Sequence, residues 1–424
     1  MTSTILSASL AWLVVTLGSN DAAFIPLRDP QGIYWQFEPT AISANGLFVA
    51  GAGIEWESGG AALLTWTDQS FQLLTPISSS SNARAVGLSE DGRTVVGYLH
   101  VVNGIEGILW QDGNSISLGV GVVPQALSTN GDIIVGYRLS SGANSVAFHL
   151  TRSSGQMVDI PLDGFMYSTA VDVSGDGRVV VVVADNPLFQ TASNSSIQNQ
   201  AFAFRWTVDE SLVEPIDPLS GGTYFSPTSI SANGSVIVGY GDSNPSTYKA
   251  IMWTEKDGTQ SLDTPSFLDS YAYDVSANGE VIVGYKHVTP ISRESFIWDE
   301  LNGMRLLRPT LEKVFSLSLD DWLLPVATRI SADGRVIVGS GISPYGAPEA
   351  YLVQLPSFWF EQCEVICDDN DFCTRDSCTD GVCDHSPVRY GDIAPCGGDG
   401  TVDIDDLIAV LQAFAGQELC ACTP

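Results

Sequence analysis

A four-residue pattern, Ser-x-Asn/Asp-Gly, recurs seven times in this chain and constrains its fold more than any other feature. Asn-Gly and Asp-Gly between apolar strands favour tight hairpin turns, because these residues tolerate the positive φ that such turns require. The glycines of successive copies lie 39 to 57 residues apart, the spacing of one supersecondary unit with loops of variable length. The copies begin at Ser43, Ser89, Ser128, Ser174, Ser231, Ser276 and Ser331.

Each copy divides into four short strands. In the sixth copy, residues 272–275 precede the turn and the β-branched run 281–285 follows it. A third strand carries an aromatic pair, Phe296 and Trp298, and the fourth is the Leu-rich segment 304–307. Four antiparallel strands in each of seven units predict an all-β fold, a seven-bladed β-propeller of four-stranded antiparallel blades, over residues 24–356.

The two ends of this region predict how the ring closes. The seventh unit has only three strands and leaves the pattern at Pro356, whereas residues 24–28 resemble the fourth strands of the other units. We therefore expect the N-terminal strand to complete the last blade, which removes an exposed sheet edge. The alternative is an open β-solenoid, whose terminal units would act as caps.

The composition excludes several classes of partner. Lys and Arg total 18 and Asp and Glu total 49, so the formal net charge is −31. Nucleic acid is excluded and an anionic membrane surface is disfavoured, because both need a basic face. The hydrophobic fraction of 44 % is high enough for a real core. The expected partner is an extracellular polysaccharide or protein, and the propeller is expected to be monomeric.

The N-terminus and the cysteines predict export. Residues 5–17 form an apolar run of signal-peptide length within a segment, 1–23, that ends in small and polar residues. A buried first strand is the alternative, and no other run is long and apolar enough for a transmembrane helix. All eight cysteines follow residue 362, as in a disulfide framework that forms outside the cytosol. The chain is therefore predicted to be secreted or located at the cell surface.

Residues 361–387 form a small cysteine-rich module. Its five cysteines lack the C-x-x-C spacing typical of zinc sites, so a disulfide knot is favoured, with zinc bound partly by His385 as the alternative. A module of this size needs covalent bridges because it cannot bury a core of its own. The segment is similar to small cysteine-rich repeats of extracellular bacterial and slime-mould proteins, which implies a spacer or stalk.

The last segment, 391–424, resembles the calcium loop and exiting helix of dockerin-type EF-hand repeats. With Gly400 at the bend, the resemblance implies Ca²⁺ as the cofactor and places its oxygen ligands on Asp399, Thr401, Asp403 and Asp406. An acidic cap on the N-terminus of a helix is the alternative. A dockerin has two such loops and this chain has one, so a cohesin partner is not implied.

The repeated unit itself resembles a known family. The pattern A-x-x-[VI]-S-x-[ND]-G-x-[VI]-[VI]-V-G-Y followed by [AS]-F-x-W is similar to the HAF-repeat extracellular proteins of bacteria, over about residues 24–356. It departs from that pattern at Ala52 and at Val182-Val183, which replace Tyr and Gly-Tyr. The resemblance implies an extracellular propeller and transfers no catalytic residue.

No catalytic motif stands out. The histidines are His100, His149, His287 and His385, and no nucleophile elbow, zinc-protease motif or phosphate loop occurs. The Asn and Asp of the repeated turns are interpreted as satisfying their own backbone. The long insertions 185–200 and 308–324 are candidate ligand loops, and the second is expected to contain a short helix.

Three functional hypotheses follow from these observations. The first is a non-enzymatic, exported propeller that binds an extracellular ligand. The second is a carbohydrate-active enzyme that uses paired carboxylates at the channel mouth. The third is a structural protein of the cell envelope.

Overall fold

The computed structural model describes residues 22–29, 34–55, 61–67, 70–74, 83–140, 144–185, 201–244, 247–263, 268–356, 374–379 and 382–387. The chain divides into two compact units, 1–355 and 356–424. In the second unit the described residues form one antiparallel hairpin, β29 (Thr374–Thr379) with β30 (Val382–Pro387), in which Cys378 pairs with Cys383 along the backbone.

The first unit consists almost entirely of short antiparallel strands. Those of its first half are β1 (Ala23–Leu27), β2 (Tyr34–Ile42), β3 (Val49–Glu55), β4 (Ala61–Thr67), β5 (Ser70–Leu73), β6 (Ala83–Leu88), β7 (Thr94–Val101), β8 (Gly104–Gln111), β9 (Asn114–Val120), β10 (Val122–Leu127), β11 (Ile133–Leu139), β12 (Ser145–Thr151) and β13 (Gln156–Asp159). Those of its second half are β14 (Tyr167–Val173), β15 (Val179–Asp185), β16 (Ala201–Thr207), β17 (Leu212–Ile216), β18 (Phe225–Ile230), β19 (Val236–Asn244), β20 (Thr247–Thr254), β21 (Gly258–Ser261), β22 (Ser270–Val275), β23 (Val281–Thr289), β24 (Ser292–Asp299), β25 (Gly303–Leu306), β26 (Leu323–Ile330), β27 (Val336–Ile342) and β28 (Pro348–Gln354).

These strands form four-stranded antiparallel meanders. The strand groups β2–β5, β6–β9, β18–β21 and β22–β25 are separate sheets. The groups β10–β13 and β14–β17 are joined into one larger sheet by a single parallel bridge between Ser145 and Tyr167. The predicted all-β fold with four-stranded antiparallel units is therefore confirmed. Apolar side chains fill the space between neighbouring meanders, as where Ala41 and Ala50 of the first pack against Val95 and Trp110 of the second.

The remaining sheet joins the two ends of the first unit. Strand β1 lies antiparallel to β28, with Ala23 opposite Gln354 and Leu27 opposite Ala350, which gives the strand order β1-β28-β27-β26. The ring of Phe24 stacks on Tyr351 with 5.9 Å between ring centroids. The predicted pairing of the N-terminal strand with the last unit is confirmed, as a closed ring requires.

The repeated turn is held by its own side chains in every copy. The Ser Oγ donates to the Asn or Asp Oδ1 at 2.5–2.8 Å, and the same Oδ1 accepts the N–H two residues further on at 3.0–3.1 Å. The Ser Oγ in turn accepts the N–H five residues after it, as from Phe48 to Ser43 at 3.0 Å. The interpretation of these Asn and Asp residues as structural is confirmed.

Hydrogen bonds connect these turns in a closed series, six of them between backbone groups and one from the Asn45 side chain. Each turn donates a hydrogen bond of 2.9–3.3 Å to a carbonyl of the next, and the last returns to the first. The donor and acceptor pairs are Asn45 Nδ2 to Glu90, Glu90 to Thr129, Thr129 to Gly175, Gly175 to Ala232, Asn233 to Ala277, Ala277 to Ala332, and Ala332 to Ala44. The inner ends of the meanders are thus tied to one another around a common centre.

The insertion at 308–324 contains the short helix that was expected. Helix α1 (Leu307–Val314) buries Leu307 and Leu311 and contacts β24, β25 and β26. Within the residues that the structure describes, no helix is long and apolar enough to cross a membrane.

Candidate functional site

Several sequence-predicted residues lie outside the described parts of the chain. They are the four calcium-ligand candidates Asp399, Thr401, Asp403 and Asp406. The polar insertion 185–200 is described only at Asp185, where β15 ends. The calcium loop and this ligand loop stay predictions.

The structure separates the three histidines whose side chains it describes into two kinds. His149 is 6 % exposed, and burial lowers the pKa of its imidazole. It packs edge-on against Trp206 at 5.5 Å, so it belongs to the core. His100 and His287, by contrast, lie at equivalent places in β7 and β23, and each ring packs about 6 Å from a tyrosine of its own strand, Tyr98 at 6.0 Å and Tyr285 at 5.9 Å.

The innermost strands of the meanders line a central cavity of about 160 Å³. Each of these strands has a β-bulge at the same place, three to four residues before the Ser of the turn. The residue after the bulge lines the cavity in each case. In chain order these residues are Ala41, Gly87, Ala126, Asp172, Ser229, Asp274 and Arg329. One side of the cavity is therefore apolar and the other is polar and charged.

The polar side connects consecutive meanders. Asp172 Oδ2 accepts the backbone N–H of Ile230 at 2.9 Å, and Asp274 Oδ2 accepts that of Ile330 at 2.9 Å. Between them, Ser229 Oγ donates to Asp274 Oδ1 at 2.7 Å. Each carboxylate also accepts the N–H of the residue that follows it, at 2.8 Å for Asp172 and 3.0 Å for Asp274. All four carboxylate oxygens thus have a protein donor.

The surroundings of the two carboxyl groups raise their pKa values. Burial raises the pKa of Asp172 to about 6, and the nearby charge of Asp274 adds to this effect. Burial also raises the pKa of Asp274, although the Arg329 guanidinium opposes the shift. The cavity therefore holds a carboxyl group that changes charge in the mildly acidic range.

A second polar feature lies at the opposite ends of the strands from the Ser turns. Six tyrosines of the meanders β18–β21 and β22–β25 form what we call the tyrosine cluster: Tyr224, Tyr240, Tyr248, Tyr271, Tyr273 and Tyr285. Tyr271 lies at its centre, with ring centroids 4.9 Å from Tyr240 and 4.8 Å from Tyr285. Tyr285 is 8 % exposed, and the other five are half-buried.

Hydrogen bonds to two aspartates fix the backbone that carries these rings. Asp242 Oδ1 accepts the N–H of Thr223 at 2.7 Å and that of Tyr224 at 2.6 Å, which holds the loop before β18. Asp269 Oδ1 accepts the N–H of Tyr248 at 2.9 Å. The Asp242 contacts lie within the meander β18–β21, and the Asp269 contact links that meander to the next, so the cluster is organised in the absence of a ligand.

Burial raises the pKa of three hydroxyls of the cluster. Burial raises the pKa of Tyr224 and of Tyr273 to about 12, and burial together with the Asp269 carboxylate raises the pKa of Tyr271 further. The guanidinium of Arg293 lies 5.0 Å from the ring centroid of Tyr285, within cation–π distance. The cluster presents ring faces, hydroxyl groups and one guanidinium.

Sequence reasoning missed both the polar side of the cavity and the tyrosine cluster. Tyr240 and Tyr285 were part of the repeat pattern, and the rings gathered around them come from non-repeated positions. The available signal was local composition, because six of the chain's 13 tyrosines fall between residues 224 and 285.

No protein-family model matches this chain, and no curated protein matches it. Solved structures do. The β-propeller domain of the Trilobed protease from Pyrococcus furiosus, described as having an open velcro topology, is 11 % identical with a TM-score of 0.52, and the match covers 78 % of this chain and 98 % of that one. The chain folds as a β-propeller. A manganese-bound oligogalacturonate lyase matches the propeller at 11 % identity and a TM-score of 0.50, over 78 % of this chain and 93 % of that one.

A third similar structure is TolB from Acinetobacter baumannii, at 14 % identity and a TM-score of 0.44, over 60 % of this chain and 61 % of that one. The propeller thus spans less than two thirds of that protein's length. At these identities the likeness concerns the fold alone, and the meanders described above are its blades.

Proposed function

We propose that this chain is an exported, seven-bladed β-propeller that binds an extracellular ligand without chemically changing it. The observation that carries the proposal is the tyrosine cluster. Tyrosine is enriched at binding surfaces because it offers a large contact area and a hydrogen-bonding tip for a small loss of side-chain freedom. Five half-buried rings on a backbone fixed by Asp242 and Asp269 provide such a surface.

The blade number is supported by the repeated turns. Seven Ser-x-Asn/Asp-Gly turns are joined by a closed series of hydrogen bonds, which ends with Ala332 donating to Ala44 at 2.9 Å. Strand β1 supplies the fourth strand of the blade that contains β26, β27 and β28.

Export is supported by the sequence alone. The apolar run 5–17, the late cysteines and the likeness of the unit to HAF repeats agree with a secreted or cell-surface location. In this proposal the module 361–387 is a disulfide-bonded stalk. The tail 391–424 is an attachment segment that binds Ca²⁺ through Asp399, Thr401, Asp403 and Asp406.

The enzymatic alternative would use Asp172 and Asp274, the two carboxylates of the central cavity. Their raised pKa values suit an acid or a base. Their oxygens, however, already accept backbone and Ser229 donors that hold four consecutive blades together. This bonding favours a structural role for the pair, and so favours binding over catalysis.

The proposal is tested by sedimentation of the purified full chain with insoluble cell-envelope material, alongside a turnover screen on extracellular polymers. We expect the wild-type chain to be depleted from solution, a Tyr248→Ala/Tyr271→Ala variant to stay in solution, and no polymer to be cleaved. Tyr98→Ala is the matched control, because Tyr98 occupies the same Val-Gly-Tyr position as Tyr240 in another blade. Absence of binding, or cleavage that Asp172→Asn abolishes, would overturn the proposal.

A further inference from the structure

We propose that the tyrosine cluster is a binding site for a neutral polysaccharide chain. This inference rests on the proposed binding function and specifies its ligand. The tyrosine cluster is the part of the described surface where ring faces, hydroxyls and a guanidinium come together, and each of these groups has a counterpart on a sugar.

The chemical makeup of the cluster fits a sugar better than an apolar partner. All six of its rings are tyrosines, so the aromatic surface that reaches solvent also carries hydroxyl groups, which can donate to and accept from a sugar. An apolar protein partner would remove water from the hydroxyl groups at the surface and offer no hydrogen bond in exchange, which is costly. A sugar chain offers donors and acceptors along its whole length.

The arrangement of the rings fits an extended chain. Tyr224 lies 6.4 Å from Tyr248, Tyr248 lies 6.0 Å from Tyr271, and Tyr271 lies 4.8 Å from Tyr285. The series continues to His287 at 5.9 Å from Tyr285, with Arg293 over the same ring. The rings therefore form a continuous aromatic track across two blades.

Charge decides between a neutral and an anionic chain. The protein has a formal net charge of −31, and the carboxylates of Asp242 and Asp269 lie directly beside the tyrosines. A polyanion would be repelled at long range and at the surface. Arg293 is one cation among these charges and is available to sugar hydroxyls at the end of the track.

The test measures binding of matched hexasaccharides to the full chain by titration calorimetry. The neutral probes are cellohexaose, maltohexaose, xylohexaose and mannohexaose, and the anionic probe of equal length is hexagalacturonate. We expect at least one neutral probe to bind and hexagalacturonate to bind at least tenfold more weakly. Tyr271→Ala is expected to weaken neutral binding about tenfold or more, Tyr271→Phe to retain it within about threefold, and Tyr98→Ala to leave it unchanged.

Each other outcome has a definite reading. Failure of every neutral probe, or preference for hexagalacturonate, overturns the ligand class. In that case, envelope binding that is still lost in Tyr248→Ala/Tyr271→Ala leaves the proposed function standing. Neutral binding that Tyr271→Ala does not affect overturns the assignment to the cluster. Because Tyr271→Phe keeps the ring, its folding and binding distinguish loss of the site from loss of the fold.

Discussion

Two aspartates of the repeated unit show how much surroundings alter one residue type. Asp91 lies in a turn, where the hydroxyl of Ser89 and the N–H of Arg93 hold the pKa of its carboxyl below the usual value. Asp172 lines the central cavity, where burial raises its pKa to about 6. The first prefers to be charged in the folded state, and the second prefers to be protonated.

The first prediction concerns Asp172→Asn and pH. The folded pKa of Asp172 lies above its unfolded value of 3.8, so its contribution to stability is present below that value and is lost as pH rises through 6. Between pH 4.5 and 7.5 the wild type should therefore lose about 2 kcal/mol more stability than Asp172→Asn. Urea midpoints of both proteins across this range measure the difference, and a constant offset from the substitution does not affect it.

Asp91→Asn provides the control with the opposite sign. Because the folded pKa of Asp91 is lowered, its contribution is present above the unfolded value and is lost as pH falls. This variant should therefore lose less stability than the wild type on acidification. Asn occupies the equivalent position of four other turns, so the fold tolerates it. Parallel pH curves for wild type and Asp172→Asn would contradict the assignment of a buried, titrating carboxyl.

At the residue scale, the sequence predicted the hydrogen bonds that a side chain makes within its own turn. The hydrogen bonds of Ser43 and Asn45 follow from spacing within one hairpin and were expected. The role of Asp172 depends on a bulge that places its side chain at the central cavity, and on the backbone N–H that Ile230 of the next blade donates to it. The clue in the sequence was a charged residue at a position where three other copies have Ala or Gly.

At the scale of elements, the turn glycines fix how closely blades approach. Gly279 has a φ of +85°, and a Cβ there would lie 2.4 Å from Val236 Cγ2 of the preceding blade. The matching glycine of an earlier turn, Gly177, faces Ile133 in the same way, at 2.4 Å. The tight hairpin and the close packing between blades therefore both depend on the absence of a Cβ atom at this position.

The second prediction is that Gly279→Ala lowers the free energy of unfolding by about 2 to 4 kcal/mol, because backbone strain and overpacking add. Gly258→Ala is the matched control: its φ is +65°, and no atom lies within 4 Å of the added Cβ. Gly258→Ala should lower the free energy of unfolding by about 1 kcal/mol, because it adds backbone strain without overpacking. Denaturant unfolding measures both, and equal losses would contradict the role given to the contact between blades.

The third prediction concerns the strand that closes the ring. Leu27 of β1 is 3 % exposed and packs among Val49, Val338 and Leu352 of the first and last blades. Leu27→Ala should cost about 2 to 4 kcal/mol, because it leaves a cavity at the closure. Leu301→Ala, at a site 80 % exposed, should stay within about 0.5 kcal/mol of the wild type. Similar losses in the two variants would mean that β1 contributes little to the closed ring.

Elements were predictable where their signal lies within one unit. The four-stranded meanders and helix α1 follow from hairpin turns and local patterns. The tyrosine cluster was not predictable in this way, because Tyr240 and Tyr271 belong to different blades and meet only when the blades pack. Contacts between units depend on the radial arrangement, which the pattern of one unit does not encode.

At the scale of the whole molecule, the propeller and the tail are expected to respond to calcium independently. Within the described residues, no group of three or more His, Cys, Asp or Glu side chains could hold a metal ion. The proposed ligands Asp399, Thr401, Asp403 and Asp406 are all in the second compact unit.

The fourth prediction is therefore that chelation increases hydrogen exchange in residues 391–416 and leaves the propeller strands unchanged, because Ca²⁺ supplies folding energy only where its ligands lie. Exchange measured by mass spectrometry with and without a chelator tests this. Asp403→Asn/Asp406→Asn should reproduce the effect of chelation in the presence of Ca²⁺. Unchanged exchange in the tail would contradict calcium binding there.

The pairing of β1 with β28 determines how the propeller would respond to tension. Ala23 begins β1 and Gln354 ends β28, and the two residues face each other at the same end of the sheet. A force that pulls the segment before Ala23 away from the segment after Gln354 would act on the hydrogen bonds between β1 and β28 one after another, starting at that end of the sheet. A propeller tethered by one flank and anchored by the other would then open at β1 first, while the hairpins of the other blades carry little of the load.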